Sequence, residues 1–329
     1  MSPPHRTGID EQRLDELLAF VQDGVVSRRQ LLGLGADDDD IARLVRRGRL
    51  HRRHPGVLVE HNGPLTRAQR EWVAVLVHWP AALTLVSALP EPPRSGVVHV
   101  AIDVRRSVRA VPGVVAHRTA GIDVRADWGK APPRMRLEHV AVDLASQRVA
   151  DPLESFRLLA DITQTRRTSA RAIADVLRRR RVPGKALLLE MLDDLDTGAC
   201  SVLEREYLLR VERAHGLPEG RRQARGAVGG RTAYRDVAYA EHATYVELDG
   251  RAFHDSARSR DVDAERDLQA RVDEDAVTVR LTYGLVLGSP CRTAWQLAAL
   301  LRRRGWTGQP VRCPRCPALD SRITGRICP

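Results

Sequence analysis

The chain has 329 residues, five cysteines and a formal net charge of +11, with 43% hydrophobic and only 4% aromatic residues. That length suits two or three domains, no apolar run nears the roughly 20 residues that span a bilayer, and so few cysteines make no disulfide framework. The charge points toward nucleic acid but is unevenly spread: residues 1–62 are net 0, 63–195 net +7, 196–306 net +1 and 307–329 net +3, with only Lys130 and Lys185 among 53 cations being lysine. The opening MSPPHRTGIDEQ lacks the charged-then-apolar order of a signal peptide, so the cytoplasm is the expected location.

Asp10 to Gln22 predicts an amphipathic helix, with Leu14, Leu17, Leu18 and Val21 at helical spacing. Ser27 caps a short helix, Arg28 to Leu32, which stops near Gly33 and Gly35. Asp37 to Asp40 open a third helix, Ile41 to Arg47, where acids complement the macrodipole. The basic run RLHRRHPGVLV then reads as a strand pair or wing. Helix, helix–turn–helix and basic hairpin together make a winged helix-turn-helix over 1–62.

Residues 63–195 read as a mixed middle domain. A helix from Thr66 to Val77 leads into an apolar stretch, Ala81 to Leu89; strand-like runs follow at 97–103 and 113–119. Four helices come next: Leu137 to Ser146, Pro152 to Ile162, Ser169 to Arg180 and Lys185 to Asp194. No repeat and no catalytic constellation is visible here. From 196 to 306 the order is α-β-β-β-α-β-α, opened by Ser201 three residues ahead of Glu204 in capping-box spacing. The segment 307–329, with four prolines and little apolar content, reads as a disordered tail. The expected class is therefore α+β and multidomain.

Residues 231–254, RTAYRDVAYAEHATYVELDGRAFH, read as two strands joined by a tight turn. If the turn centres on Glu241-His242, residues whose numbers sum to 483 face each other, which sets Asp236 opposite Glu247. Asp249 shares a face with Glu247. Like charges opposite one another destabilise a ladder. A hard divalent cation, Mg²⁺ or Mn²⁺, held by Asp236, Glu247 and Asp249 would compensate them.

The element order and acid placement resemble the PD-(D/E)XK nuclease fold: Glu204 stands at its helix acid, Asp236 at its strand Asp and Glu247 in its Glu-x-Lys. Asp249 occupies the lysine position, and no lysine follows Lys185. Glu247, Asp249, Gly250 and His254, followed by Asp263 and Arg266, resemble the Vsr-like (very-short-patch-repair) endonucleases, whose histidine helps activate water. That resemblance implies Glu204, Asp236, Glu247 and His254 as catalytic residues, and the guanidinium of Arg266 or Arg280 would clamp the scissile phosphate. The N-terminal run SRRQLLGLG…IARLVRRGRLHRRHPGVLV resembles the winged helix of AbiEi-type antitoxins, which binds operator DNA. It implies Arg43, Arg46, Arg47, Arg49, Arg52 and Arg53 as DNA contacts, although Asp37 to Asp40 sit where a recognition helix meets bases.

The expected function is a divalent-metal-dependent DNA endonuclease with an attached DNA-binding domain. The alternative is a non-catalytic, antitoxin-like transcriptional repressor whose nuclease-fold domain only binds, with a homodimeric state and a cognate toxin as its expected partners. Cys313-Pro-Arg-Cys316 with Cys328 offers three thiols and no histidine, one ligand short of a structural zinc site, so zinc is not expected.

Overall fold

The computed structural model describes residues 8–93, 96–197, 201–228, 231–249, 268, 271–272 and 275–316; for 201, 225–228 and 231–234 it describes the main chain alone. The chain divides into two compact units, Met1–Leu144 and Ala145–Pro329. No helix among the described residues is long and apolar enough to cross a membrane.

The first unit opens with α1 (Glu11–Glu16), which continues through a π turn over Leu17–Val21. Then come β1 (Val25–Ser27), α2 (Arg28–Gly33), α3 (Asp38–Arg46), β2 (His51–His54) and β3 (Val57–Val59). Both short helices begin at reciprocal caps. Ser27 accepts from Gln30 N while Gln30 Oε1 accepts from Ser27 N (2.9 Å), and Asp37 and Asp40 exchange the same bonds at 2.8 and 3.1 Å. Leu14, Leu18, Leu31, Ile41, Leu44 and Leu50 bury one stripe from each element into a common core. The sheet order β1-β3-β2 completes a helix, helix–turn–helix and hairpin arrangement, as the hydrophobic periodicity predicts.

Next come α4 (Arg67–Val77), β4 (Ala82–Leu83), β5 (Val98–Asp103), β6 (Val114–Thr119), the short α5 (Ile122–Arg125), β7 (Ala126–Asp127) and β8 (Arg134–Met135). They form a five-stranded mixed sheet in the order β6-β5-β4-β8-β7. Helix α6 (Leu137–Gln147) spans the boundary between the units.

The second unit contains α7 (Pro152–Gln164), α8 (Ala170–Arg178), α9 (Lys185–Thr197) and α10 (Ser201–Glu206). Helix α10 runs on as a π segment, Tyr207–Glu212, and a 3₁₀ turn, Arg213–His215. The strands β9 (Arg221–Val228), β10 (Arg231–Tyr239), β11 (Thr244–Asp249) and β12 (Val277–Thr282) follow, and α11 (Pro290–Arg303) closes the unit. The sheet order is β12-β11-β10-β9, antiparallel except for the parallel β11–β12 pair. Its covered face buries Val237, Tyr239, Val246 and Leu248. Phe156 of α7 stacks on Tyr283, just past β12, at 3.7 Å between ring centroids.

Candidate functional site

In the winged helix, burial of Ile41 and Leu44 turns Arg43 and Arg46 toward solvent, because a residue two positions on lies about 200° round the helix, and Arg47 is exposed as the C-cap residue of α3. Arg43 is spent on Asp40 (2.8 Å), and Arg28 holds Asp38 through two of its nitrogens. Two of the four acids that open α3 are thus neutralised by arginine, and Asp37 serves as the cap. Arg49 joins Glu11 and Asp15, tying α1 to the segment that enters the wing. Successive strand residues point to opposite faces, so Arg52 is exposed while Arg53 turns inward to the carbonyls of His61 and Gly63. Of the arginines the sequence singles out here, Arg46, Arg47 and Arg52 remain exposed with no partner among the described residues.

Around the second unit's hairpin the pairs are Val237 with Val246, Ala238 with Tyr245 and Tyr239 with Thr244, the register read from the sequence. The ladder stops one step before Asp236. There the Asp236 carboxylate, in place of a main-chain carbonyl, accepts from Leu248 N at 2.6 Å. The β10–β9 ladder also skips a step there, passing from Arg235–Ala224 to Val237–Arg222, and Gln223 within the gap has φ +41°. The irregularity changes which side chain reaches Glu247. Strict alternation would set Arg235 on the face away from Glu247, yet Arg235 donates to Glu247 Oε1 at 3.1 Å and lies 4.7 Å from the Tyr245 ring centroid. Arg280, in register with Glu247 on β12, reaches Glu247 Oε2 at 2.8 Å. The compensation that the sequence reading assigned to a cation comes at Glu247 from two guanidiniums.

Asp236 instead lies near Glu204 of α10. Burial first, then the charges of Asp236 and Asp194, push the Glu204 carboxyl above its ordinary value, against a lowering by Arg222. Asp194 is buried, accepting from Val202 N (3.0 Å) and the Tyr283 hydroxyl (2.9 Å). Glu204 is therefore within electrostatic reach of Asp236 and Asp194, whereas Glu247 sits between arginines. Asp249 is half-buried at the end of β11. His254, Asp263 and Arg266 lie outside the described residues.

The donor set fits a Mg²⁺ ion poorly as arranged. Both Glu247 oxygens are engaged and one Asp236 oxygen is taken by the main chain, which leaves few carboxylate oxygens free for the ion.

The exposed arginines stand on a segment with a recognisable signature. Residues 12–61 match the family model for the transcriptional regulator, AbiEi antitoxin. The AbiEi-type span covers α1 to β3 and includes Arg46, Arg47 and Arg52. No curated protein matches the chain.

Proposed function

We propose that the chain is a DNA-binding transcriptional regulator of the antitoxin type, acting through its AbiEi-like winged helix. The observation that carries this reading is the coincidence of that span with three arginines, Arg46, Arg47 and Arg52, held exposed on the outer face of α3 and on the wing. Guanidiniums in such positions contact phosphates and the groove edge. With Arg28 and Arg43 satisfying Asp38 and Asp40, the opening of α3 carries less negative charge toward DNA. A cognate toxin and a second copy of the chain are the protein partners this reading implies.

The test is anisotropy of the full chain on duplex DNA across a salt series. Wild type binds, and its log affinity falls linearly with log salt. The variant Arg46→Ala/Arg47→Ala/Arg52→Ala loses roughly 0.9 of that slope for each arginine that neutralises a phosphate, at most about 3, and loses base discrimination for each that reaches the groove edge. Absence of duplex binding at low salt overturns the reading. Footprints in one or in two half-sites separate monomer from homodimer.

A second reading, divalent-metal-dependent DNA cleavage, draws on the repulsion that Glu204 feels from Asp236 and Asp194, which a divalent ion would relieve. This reading requires Mg²⁺ or Mn²⁺ to draw Glu247 away from Arg235 and Arg280 before it can join Asp236 and Asp249 as a ligand, which would release Arg280 to hold phosphate with Arg266 while Glu204 and His254 assist. Nicking of supercoiled plasmid that appears with metal and vanishes in Asp236→Ala supports it; a wild type without nicking in either metal removes it.

A further inference from the structure

His215, Cys291, Cys313 and Cys316 come together in the second unit, their ligand atoms all within 4.8 Å of one another. They arrive from three places. His215 ends the 3₁₀ turn after α10, Cys291 is the second residue of α11, and Cys313 and Cys316 bracket a tight turn in which Cys316 N donates to Cys313 O at 3.0 Å. Gly216, at φ +62°, ends the turn behind His215 and lets the chain at Val311 lie alongside, where Val311 N donates to His215 O at 2.8 Å.

The distances discriminate between explanations. Cys291 Sγ to Cys313 Sγ is 3.6 Å and Cys313 Sγ to Cys316 Sγ is 3.7 Å, while His215 Nε2 to Cys316 Sγ is 3.5 Å. A disulfide needs sulfurs about 2.05 Å apart. A tetrahedral zinc ion with Zn–S near 2.3 Å and Zn–N near 2.0 Å sets ligand edges of about 3.75 Å between sulfurs and about 3.5 Å between sulfur and nitrogen. The histidine is oriented for the task. Its Nδ1 faces the Val211 carbonyl at 3.2 Å and must carry the proton there, which leaves the Nε2 lone pair toward the sulfurs.

We infer that His215, Cys291, Cys313 and Cys316 form a structural zinc site that fastens residues 311–316 to the α10 end and to α11. Three thiolates and one imidazole are the donor set of closed structural sites, and four protein ligands leave no position for substrate. On binding, each cysteine loses its thiol proton to solvent and the neutral imidazole keeps its Nδ1 proton, so the occupied site is net −1.

The test uses the full chain purified from zinc-supplemented medium under reducing conditions. One zinc per chain is expected, none in Cys313→Ser/Cys316→Ser, and one in Cys200→Ser/Cys328→Ser. Cobalt replacing zinc gives the visible absorption of a tetrahedral thiolate site, and His215→Cys retains cobalt with stronger sulfur-to-metal charge transfer, a readout that survives if the serine variant misfolds. A wild type that takes up neither metal overturns the inference, as does zinc retained in the serine variant. Three reactive thiols among the chain's five cysteines, without metal, identify a disulfide instead and overturn it equally.

Discussion

Glu204 holds its negative charge at a cost, because it is partly buried and faces Asp236 and Asp194. Its folded-state pKa lies above its ordinary 4.5. The stability this group contributes is therefore fully present below pH 4.5 and is lost as pH rises through the raised value. Glu204→Gln, which is neutral throughout, should be more stable than wild type at neutral pH, with the gap closing as pH falls. Urea midpoints for both proteins between about pH 4 and pH 8 check this, and a pH-independent offset would refute it. If a divalent ion does occupy this corner, adding Mg²⁺ should erase the advantage of Gln, since the ion favours ionised Glu204. The same residue shows what sequence spacing hides. Its distance from Ser201 suggested a cap, and its approach to Asp194 across a helix junction has no local signature.

Three neighbouring strands are clasped by one carboxylate: Arg235 of β10 and Arg280 of β12 both meet Glu247 of β11. The Arg235 side chain is 3% exposed and that of Arg280 34%, so removal of the shared carboxylate takes an ion-pair partner from one buried charge and from one a third exposed to water. Glu247→Ala should cost about 3 kcal/mol and Arg280→Ala about 1 kcal/mol, as read from urea titrations. Equal costs would mean the clasp does not act as a unit. Element boundaries and register were legible here because turn symmetry and alternating Val237, Tyr239, Thr244 and Val246 fix the hairpin. The side-chain grouping was not. It depends on a break of regularity at Asp236 and Gln223, and such a break re-aims side chains without changing which residue numbers stand opposite.

At the scale of the whole molecule, charge and shape divide differently along the chain. The winged helix is net 0, its ten arginines matched by ten acids, whereas residues 63–195 carry +7. Sequence-independent attraction to DNA should therefore outlast the loss of Arg46, Arg47 and Arg52. The triple variant is expected to keep weak, strongly salt-dependent binding but to lose discrimination between a selected site and competitor DNA, measured by titrating unlabelled random duplex. Retained discrimination would move recognition away from the wing. The winged helix was readable because each element is local and capped by its own sequence. The metal ligands were not, since His215 and Cys316 stand 101 residues apart and Cys291 lies inside a helix whose apolar pattern accounts for it otherwise.

That separation has a mechanical consequence. The whole four-stranded sheet, from Arg221 to Thr282, lies within the segment that His215 and Cys316 bracket. A metal joining those ends turns the segment into a ring of about 100 residues, and closure of such a ring by a covalent link removes unfolded-chain entropy worth about 4.7 kcal/mol. A tug on the chain beyond Cys316, from an unfoldase or an optical trap, would load the metal–sulfur bonds first and leave the strands inside the ring slack until those bonds let go.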